Sequence, residues 1–462
     1  MKFDDDQKAA LARINEGKNV FITGPAGTGK SSVTVEAIRR RLGDRSLKVC
    51  ATTGVAALNL RDKLAAMFGQ HVDTSTVYRW SGIGLGPQNG QSFEGYLRYM
   101  KGRGRAWQGS CARIRGTKTL IIDEVSMLPG RVLEFVDCVC REVRNDPRPF
   151  GGIQVIAVGD FLQLPPVAKT GRYDWAFQSP AWEALDFSNV TLRVVHRQDE
   201  PEFVAILNDF RNGVISPASA AILKKRVALF PKAGLLRLFT HNSQVDKWNS
   251  YQLGTIDSPE HVLYAEGTGP KEEIEWLQKN LVTPTELRIK IGARVMVTAN
   301  LPDMDKPESL AAANGDMGTV RGWDADAVMV ALDNGRTLPV TAHEWEFDPT
   351  AEGGSGTFSQ FPLRLAYACT IHKSQGLTLD GALVDIRAAR EPGQAYTAVS
   401  RVKSLAGLHL KDWFSGMFIS PDAKEFHRRI AAGEAVPGAT AKGASVAFAL
   451  KRQVADEEDS PW

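Results

Sequence analysis

Short apolar runs alternate with amphipathic stretches through the first 190 residues. The runs at 19–23, 47–52, 118–122 and 153–158 are short and continuous, as expected of strands buried on both faces. The stretches near 6–16, 31–42, 55–68 and 130–144 carry apolar residues at helical spacing. Between Ser31 and Arg41 the predicted inner residues are Val33, Val35, Ala37 and Ile38. This alternation predicts an open, parallel α/β sheet that binds ligands at the carboxyl ends of its strands. Residues 71–117 break the rhythm with Gly, Arg and aromatic residues, and read as an accessory insertion on a first domain spanning 1–190.

A second α/β region is expected over 191–284 and 361–432. Its predicted pieces are helices 201–212 and 243–253, strands 235–239, 363–368 and 382–386, and a final helix and strand near 393–410. Residues 285–360 differ. Val320, Val328, Val330 and Leu332 alternate with other residues, and Asp333-Asn334-Gly335 supplies a hairpin turn before Arg336–Thr341. They predict a small all-β module inserted in the second domain. From 433 onward the chain is rich in Gly, Ala and polar residues and ends in Asp456-Glu457-Glu458-Asp459-Ser460-Pro461-Trp462, which reads as a mobile acidic tail. Such a tail either solvates the chain or docks on a protein partner.

Composition narrows the class. The chain has 462 residues, 43% of them hydrophobic, so two to four domains with sizeable cores are expected. The net charge of +3 is too small to identify a partner by itself. The five cysteines lack Cys-x-x-Cys spacing, so free thiols are expected, with no structural zinc or iron–sulfur cluster. No apolar stretch reaches membrane-spanning length, and the acidic start resembles neither a secretory signal nor a transit peptide. A cytoplasmic, nucleoid-associated location is expected for a bacterial or phage chain, and nucleus or mitochondrion for a eukaryotic one.

Two segments carry the chemistry. Gly24-Pro25-Ala26-Gly27-Thr28-Gly29-Lys30-Ser31, followed by Ser32, lies between a predicted strand and a predicted helix. Its glycines let backbone N–H groups approach an anion at a helix N-terminus. Lys30 is expected at the β- and γ-phosphates of ATP, and the Ser31 hydroxyl at Mg²⁺. The second segment is Thr119-Leu120-Ile121-Ile122-Asp123-Glu124. Asp123 fits the metal-side carboxylate, and Glu124 fits the base that orients and deprotonates the attacking water.

Further motifs follow in a fixed order. Gly159-Asp160-Phe161-Leu162-Gln163-Leu164-Pro165-Pro166 resembles the G-D-x-x-Q-L-P-P element of helicase superfamily 1. Thr52-Thr53-Gly54-Val55-Ala56-Ala57 looks like that superfamily's DNA-contacting segment. Arg197-Gln198, Thr370–Thr378 and Tyr396-Thr397-Ala398-Val399-Ser400-Arg401 look like its later motifs. Arg148-Pro149-Phe150-Gly151-Gly152-Ile153-Gln154 and Asn314–Val320 are similar to signatures of the Pif-type group of 5′-to-3′ DNA helicases, relatives of RecD and Dda. The resemblance covers roughly residues 3–415.

The resemblance implies two RecA-like parallel-sheet domains, with a small all-β, barrel-like insertion in the second and a short insertion in the first. It implies an ATP-dependent translocase and 5′-to-3′ helicase that acts on single-stranded, tailed or forked DNA in repair, recombination or replication. Gln7 matches the glutamine that reads the adenine edge; an exposed helix residue is the alternative. Gln163 matches the γ-phosphate sensor, and Arg197 and Arg401 match arginines contributed by the second domain. Gln375 and Gly376 would border the nucleotide, and Thr53, Gly54, Tyr78, His372 and Lys373 would face DNA. Tyr78 stands where the group often has His, and His196 where an aromatic is commoner. A monomer is expected, since one chain carries both sets of catalytic residues. Residues 96–118 carry seven cations with Tyr96, Tyr99 and Trp107 interleaved, and read either as a DNA grip or as a flexible basic loop. An RNA translocase, the motor subunit of a nuclease complex and a non-catalytic scaffold are the competing readings.

Overall fold

The computed structural model describes residues 2–434 apart from 70–71, 85, 88–90, 168–172, 197–199, 228–233, 282, 303–309 and 348–355. The acidic tail therefore lies outside the described residues. The chain forms two compact units: Met1–Thr52, Asp73–Val194 and Ser420–Trp462 in the first, Thr53–Val72 and Val195–Ile419 in the second.

The first unit is built on a six-stranded parallel sheet. Its spatial order is Thr74–Thr76, Leu47–Ala51, Thr119–Asp123, Gln154–Val158, Val20–Thr23 and Ser188–Thr191. The four predicted strands are all present, and their apolar runs are buried on both faces as a helix-covered sheet requires. Two edge strands were not anticipated. Thr74–Thr76 is three polar residues long, and Ser188–Thr191 crosses the boundary expected at 190. Their sequences are too short and too polar to show strand periodicity.

The described residues of the 71–117 insertion are largely helical. Beyond the edge strand they form helices Val77–Ser81, Phe93–Lys101 and Arg105–Gly116. Several of the cations of 96–118, read either as a DNA grip or as a flexible basic loop, are engaged there. Arg113 donates to the carbonyls of Trp80 and Arg79 at 3.1 and 3.0 Å, and Arg115 to that of Val143 at 3.2 Å. Lys101 pairs with Glu142 at 2.7 Å and Arg98 with Glu94 at 3.0 Å. Cations that satisfy carbonyls at helix ends do structural work that composition alone does not reveal.

The core of the first unit contains an aromatic cluster: Phe21, Phe161, Trp175, Phe177, Trp182, Phe187 and Phe426. Phe426 comes from helix Pro421–Ala432, which was expected in the second domain but belongs to the first unit. Its amphipathic pattern fixes which face is buried but not which core it covers.

The second unit has a parallel sheet ordered Ala368–Thr370, Leu236–Phe239, Ala382–Val384, Leu408–Leu410. The β-rich module is larger than expected. Its five-stranded antiparallel sheet runs Thr337–Val340, Ala327–Leu332, Met317–Asp324, Arg294–Val297, Leu363–Leu365. The strand predicted over 363–368 is thus split: Leu363–Leu365 joins the module and Ala368–Thr370 joins the parallel sheet. The module also recruits His261–Tyr264, Glu266–Thr268 and helix Lys271–Asn280, all before residue 285. Leu277 of that helix packs with Trp345 and Phe358. The Asp333-Asn334-Gly335 hairpin forms as predicted, with Gly335 at φ 88°. Helix Gly54–Phe68, expected in the first domain, groups with the second unit, where Arg61 donates to the Glu346 carbonyl at 3.1 Å.

Candidate active site

Val20–Thr23 delivers the chain to the glycine-rich turn, and helix Lys30–Arg39 leaves it. Gly24 sits at φ 146°, and a Cβ there would lie 2.4 Å from the Leu192 carbonyl oxygen. Gly27 and Gly29 adopt φ 84° and 83°, a region that side chains disfavour. Gly29 is the N-cap and brings no side-chain acceptor, so no capping side chain occupies the helix N-terminus where an anion would bind. Lys30 Nζ donates to the carbonyls of Gly24 and Pro25 at 2.7 and 3.0 Å, and Thr28 Oγ1 to Pro25 at 2.9 Å. The turn is therefore held closed by its own lysine. Ser31 is exposed and Ser32 half-buried in the first helical turn.

Gln7 is buried, not an exposed helix residue. Its Oε1 accepts the Asp4 N–H at 3.1 Å in a capping box, and its Nε2 donates to the Thr28 carbonyl at 3.2 Å. It reaches the phosphate turn through that carbonyl.

Asp123 ends its strand half-buried, with Oδ1 accepting the Glu124 N–H at 3.0 Å. Glu124 lies in the left-handed region at φ 52°, and its carbonyl accepts the Thr52 hydroxyl at 3.3 Å. Strand Gln154–Val158 runs between the phosphate-turn strand and the carboxylate strand, so Gly159-Asp160 emerges between the two motifs. The Gly159 N–H donates to the Ile22 carbonyl at 3.1 Å, and a Cβ at Gly159 would lie 3.1 Å from the Val125 nitrogen. Glycine thus lets the third motif pack against the backbone that follows Glu124. Gln163 is 5% exposed in the turn that follows. Lys30, Asp123, Glu124 and Gln163 therefore project from the carboxyl ends of three neighbouring strands.

In the second unit Arg401 is 4% exposed and follows helix Gln394–Val399. Its Nε donates to the Thr397 carbonyl at 3.0 Å and its Nη2 to Ser400 Oγ at 2.9 Å. Arg197 lies outside the described residues. Gln375 is half-buried, and exposed Gly376 adopts φ 83° in the turn after Ala368–Thr370. His372 Nε2 lies 3.4 Å from Glu391 Oε2; burial holds the imidazole below its usual pKa although Glu391 pulls it upward. Lys373 is exposed. Thr53 is an N-cap whose hydroxyl accepts the Ala56 N–H at 3.2 Å, and Gly54 opens the helix. In the first unit Tyr78 is half-buried, and burial pushes its phenol upward.

The family model for the PIF1-like helicase matches residues 103–220. The ATP-dependent DNA helicase Pif1 of Bdellovibrio bacteriovorus is 34% identical over 431 residues, covering 93% of this chain and 92% of the relative. The chain belongs to the PIF1-like helicase family. Bacteroides sp. Pif1 in complex with ADP-AlF4 is a similar solved structure: TM-score 0.75, 27% identity, 94% of this chain and 98% of that one covered. Bacteroides Pif1 in complex with ADP-AlF3 and single-stranded DNA gives a TM-score of 0.63 at 27% identity, with 94% and 98% covered.

The helicase signature Arg148–Gln154 owes its form to a residue that sequence reasoning passed over. Phe150 is fully buried at φ 53°, and its N–H donates to Asp137 Oδ1 at 2.6 Å. Asp137 is itself paired with Arg141 at 2.8 Å. Gly151 accepts from Arg144 Nε at 2.6 Å, and a Cβ on it would lie 2.7 Å from the Cys140 carbonyl. This turn feeds the strand that ends at Gly159. The available signal was an acid among the apolar positions of helix Gly130–Arg144, where only a partnered carboxylate is tolerated.

Proposed function

We propose that this protein is an ATP-driven single-stranded DNA translocase and 5′-to-3′ DNA helicase. The observation that carries the reading is the convergence of Lys30, Asp123, Glu124 and Gln163 on the carboxyl edge of one sheet. Membership of the helicase family and the nucleotide and single-stranded DNA complexes of the Bacteroides relative support it. Lys30 exchanges the Gly24 and Pro25 carbonyls for phosphate oxygens when ATP enters. Ser31 and Asp123 fit Mg²⁺: both offer hard oxygen donors, and Mg²⁺ with a nucleotide characteristically takes only one or two protein ligands besides phosphate and water. Among the described residues no cluster of three His, Cys, Asp or Glu competes as a metal site. Mg²⁺ would neutralise charge on the phosphates, Glu124 orients and deprotonates the water, and Gln163 contacts the γ-phosphate. Gln7, Gln375 and Gly376 are the remaining nucleotide candidates, Arg197 and Arg401 the candidate phosphate-facing cations, and Thr53, Gly54, Tyr78, His372 and Lys373 the candidate DNA contacts.

The test is ATP hydrolysis without nucleic acid, with single-stranded DNA and with single-stranded RNA, beside Lys30→Ala. Stimulation by DNA that vanishes in the variant is expected, followed by unwinding of a 5′-tailed but not a 3′-tailed duplex. Stimulation chiefly by RNA would redirect the substrate, and unwinding only from a 3′ tail would reverse the polarity.

A further inference from the structure

Asp160 is fully buried at the end of strand Gln154–Val158. Its Oδ1 accepts the Leu162 N–H at 3.1 Å, and its carbonyl accepts the Gln163 N–H at 2.9 Å. These two bonds shape the backbone that presents Gln163. A carboxylate this deeply buried stays ionised only with donors or positive charge close by. Helix Pro421–Ala432 brings an imidazole against it: His427, its side chain 10% exposed, places Nε2 3.3 Å from the same Oδ1, a close contact outside hydrogen-bond geometry. The preceding residue, Phe426, meets Phe161 edge-on at 5.2 Å and stacks on Phe177 at 4.3 Å. Two consecutive residues of the helix therefore touch two consecutive residues of the turn. Gln178 Nε2 also donates to Asp422 Oδ2 at 3.2 Å, which fastens the first turn of the helix.

We propose that His427 is a positioning residue for Gln163, acting through Asp160, a role that rests on the reading of Gln163 as the γ-phosphate contact. Helix Pro421–Ala432 follows every recognised motif in the sequence, yet it supplies one wall of the third motif's turn. With His427 in place, the Asp160 carboxylate keeps its bond to Leu162 and the turn holds Gln163 in one orientation. Without His427, the carboxylate loses this neighbour and the turn relaxes.

The test uses the full chain with Mg²⁺ and two probes, ADP and the γ-phosphate-bearing analogue AMP-PNP. Gln163→Ala, His427→Ala and the double variant are compared by equilibrium binding and by DNA-stimulated kcat. Each single variant should weaken AMP-PNP by about fivefold or more and leave ADP within about twofold, and the double variant should lose no more than the worse single one, as coupled residues do. Additive losses, equal losses for ADP and AMP-PNP, or an unchanged AMP-PNP affinity in His427→Ala would overturn the proposal. If Gln163→Ala itself fails to separate the two nucleotides, it is the sensor reading of Gln163 that falls. Should His427→Ala not fold, as judged by circular dichroism, His427→Gln carries the same cycle. It keeps an N–H donor in place of the imidazole, and a selective AMP-PNP loss smaller than that of Gln163→Ala is expected.

Discussion

Glu124 sits at φ 52°, a conformation costly for a residue with a side chain. The Thr52 hydroxyl on its carbonyl and the Asp123 carboxylate on its N–H hold it there. Strain of this kind persists where the surroundings over-determine it, which fits a carboxylate aimed at a water. Glu124→Gln keeps the shape and removes the proposed base. Its DNA-stimulated kcat should fall on the order of a hundredfold to ten-thousandfold, with AMP-PNP binding retained. A kcat within a few-fold of the parent would remove Glu124 from the base role. Phe150 presents the same problem at φ 53°, and its N–H is held by the buried Asp137 carboxylate. Asp137→Ala orphans the buried Phe150 N–H and removes one of the two partners of Arg141, whose Nη1 keeps the Pro147 carbonyl at 2.6 Å. A loss of about 2–3 kcal/mol is expected in denaturant unfolding. Indifference to the change would mean that the turn is held by Arg144 and its carbonyl contacts alone.

The last turn of the helix that leaves the phosphate turn carries its own charge triad, Glu36 bound by Arg39 at 2.7 Å and by Arg40 at 2.8 Å. These hydrogen bonds, Arg39's first, pull the Glu36 carboxyl from its ordinary 4.5 down to about 2. A carboxyl depressed on folding stabilises the protein above its unfolded pKa, and that contribution fades as pH drops through the folded value. Stability from this triad is therefore complete above about pH 4.5 and is lost progressively toward about pH 2. Glu36→Gln should flatten the acid limb of a plot of Tm against pH within that window. An unchanged limb would assign acid sensitivity to other carboxylates.

Both units carry buried or half-buried thiols. Cys50, Cys111, Cys138 and Cys140 lie in the first and Cys369 in the second, all free. Burial pushes every one of them upward, Cys50 to about 12 and Cys138 and Cys369 to about 11. Since the thiolate is the reactive form, native protein should resist iodoacetamide at about pH 8. Alkylation should then follow denaturant unfolding, with half-buried Cys138 labelled first. Mg-ADP at about a hundredfold excess over its Kd should stabilise the unit that binds it by about 2.7 kcal/mol. The expected readout is a shift of the Cys50 and Cys140 transition to higher denaturant. Rapid alkylation of Cys50 or Cys140 in the native state would contradict the burial described.

Local sequence determined the phosphate turn, the carboxylate strand and the order of the motifs. Each depends on residue types at close spacing: glycines where a Cβ cannot fit, a β-strand's apolar run, and an acid at its end. The four central strands of the first sheet and the Asp333-Asn334-Gly335 hairpin were legible for the same reason. What the sequence left open was decided by contacts distant along the chain. The split of 363–368 between two sheets, the early start of the β-rich module and the edge strands Thr74–Thr76 and Ser188–Thr191 depend on which neighbour a segment pairs with. The cations of 96–118 carry the same formal charge whether they bind DNA or cap helices; the carbonyls of Trp80, Arg79 and Val143 engage Arg113 and Arg115. The placement of Phe426 and His427 against the turn of Gln163 is the clearest case. An amphipathic helix announces that it will bury a face, but the partner is whichever core leaves a matching gap. Here that gap lies among the aromatic residues packed around Phe161.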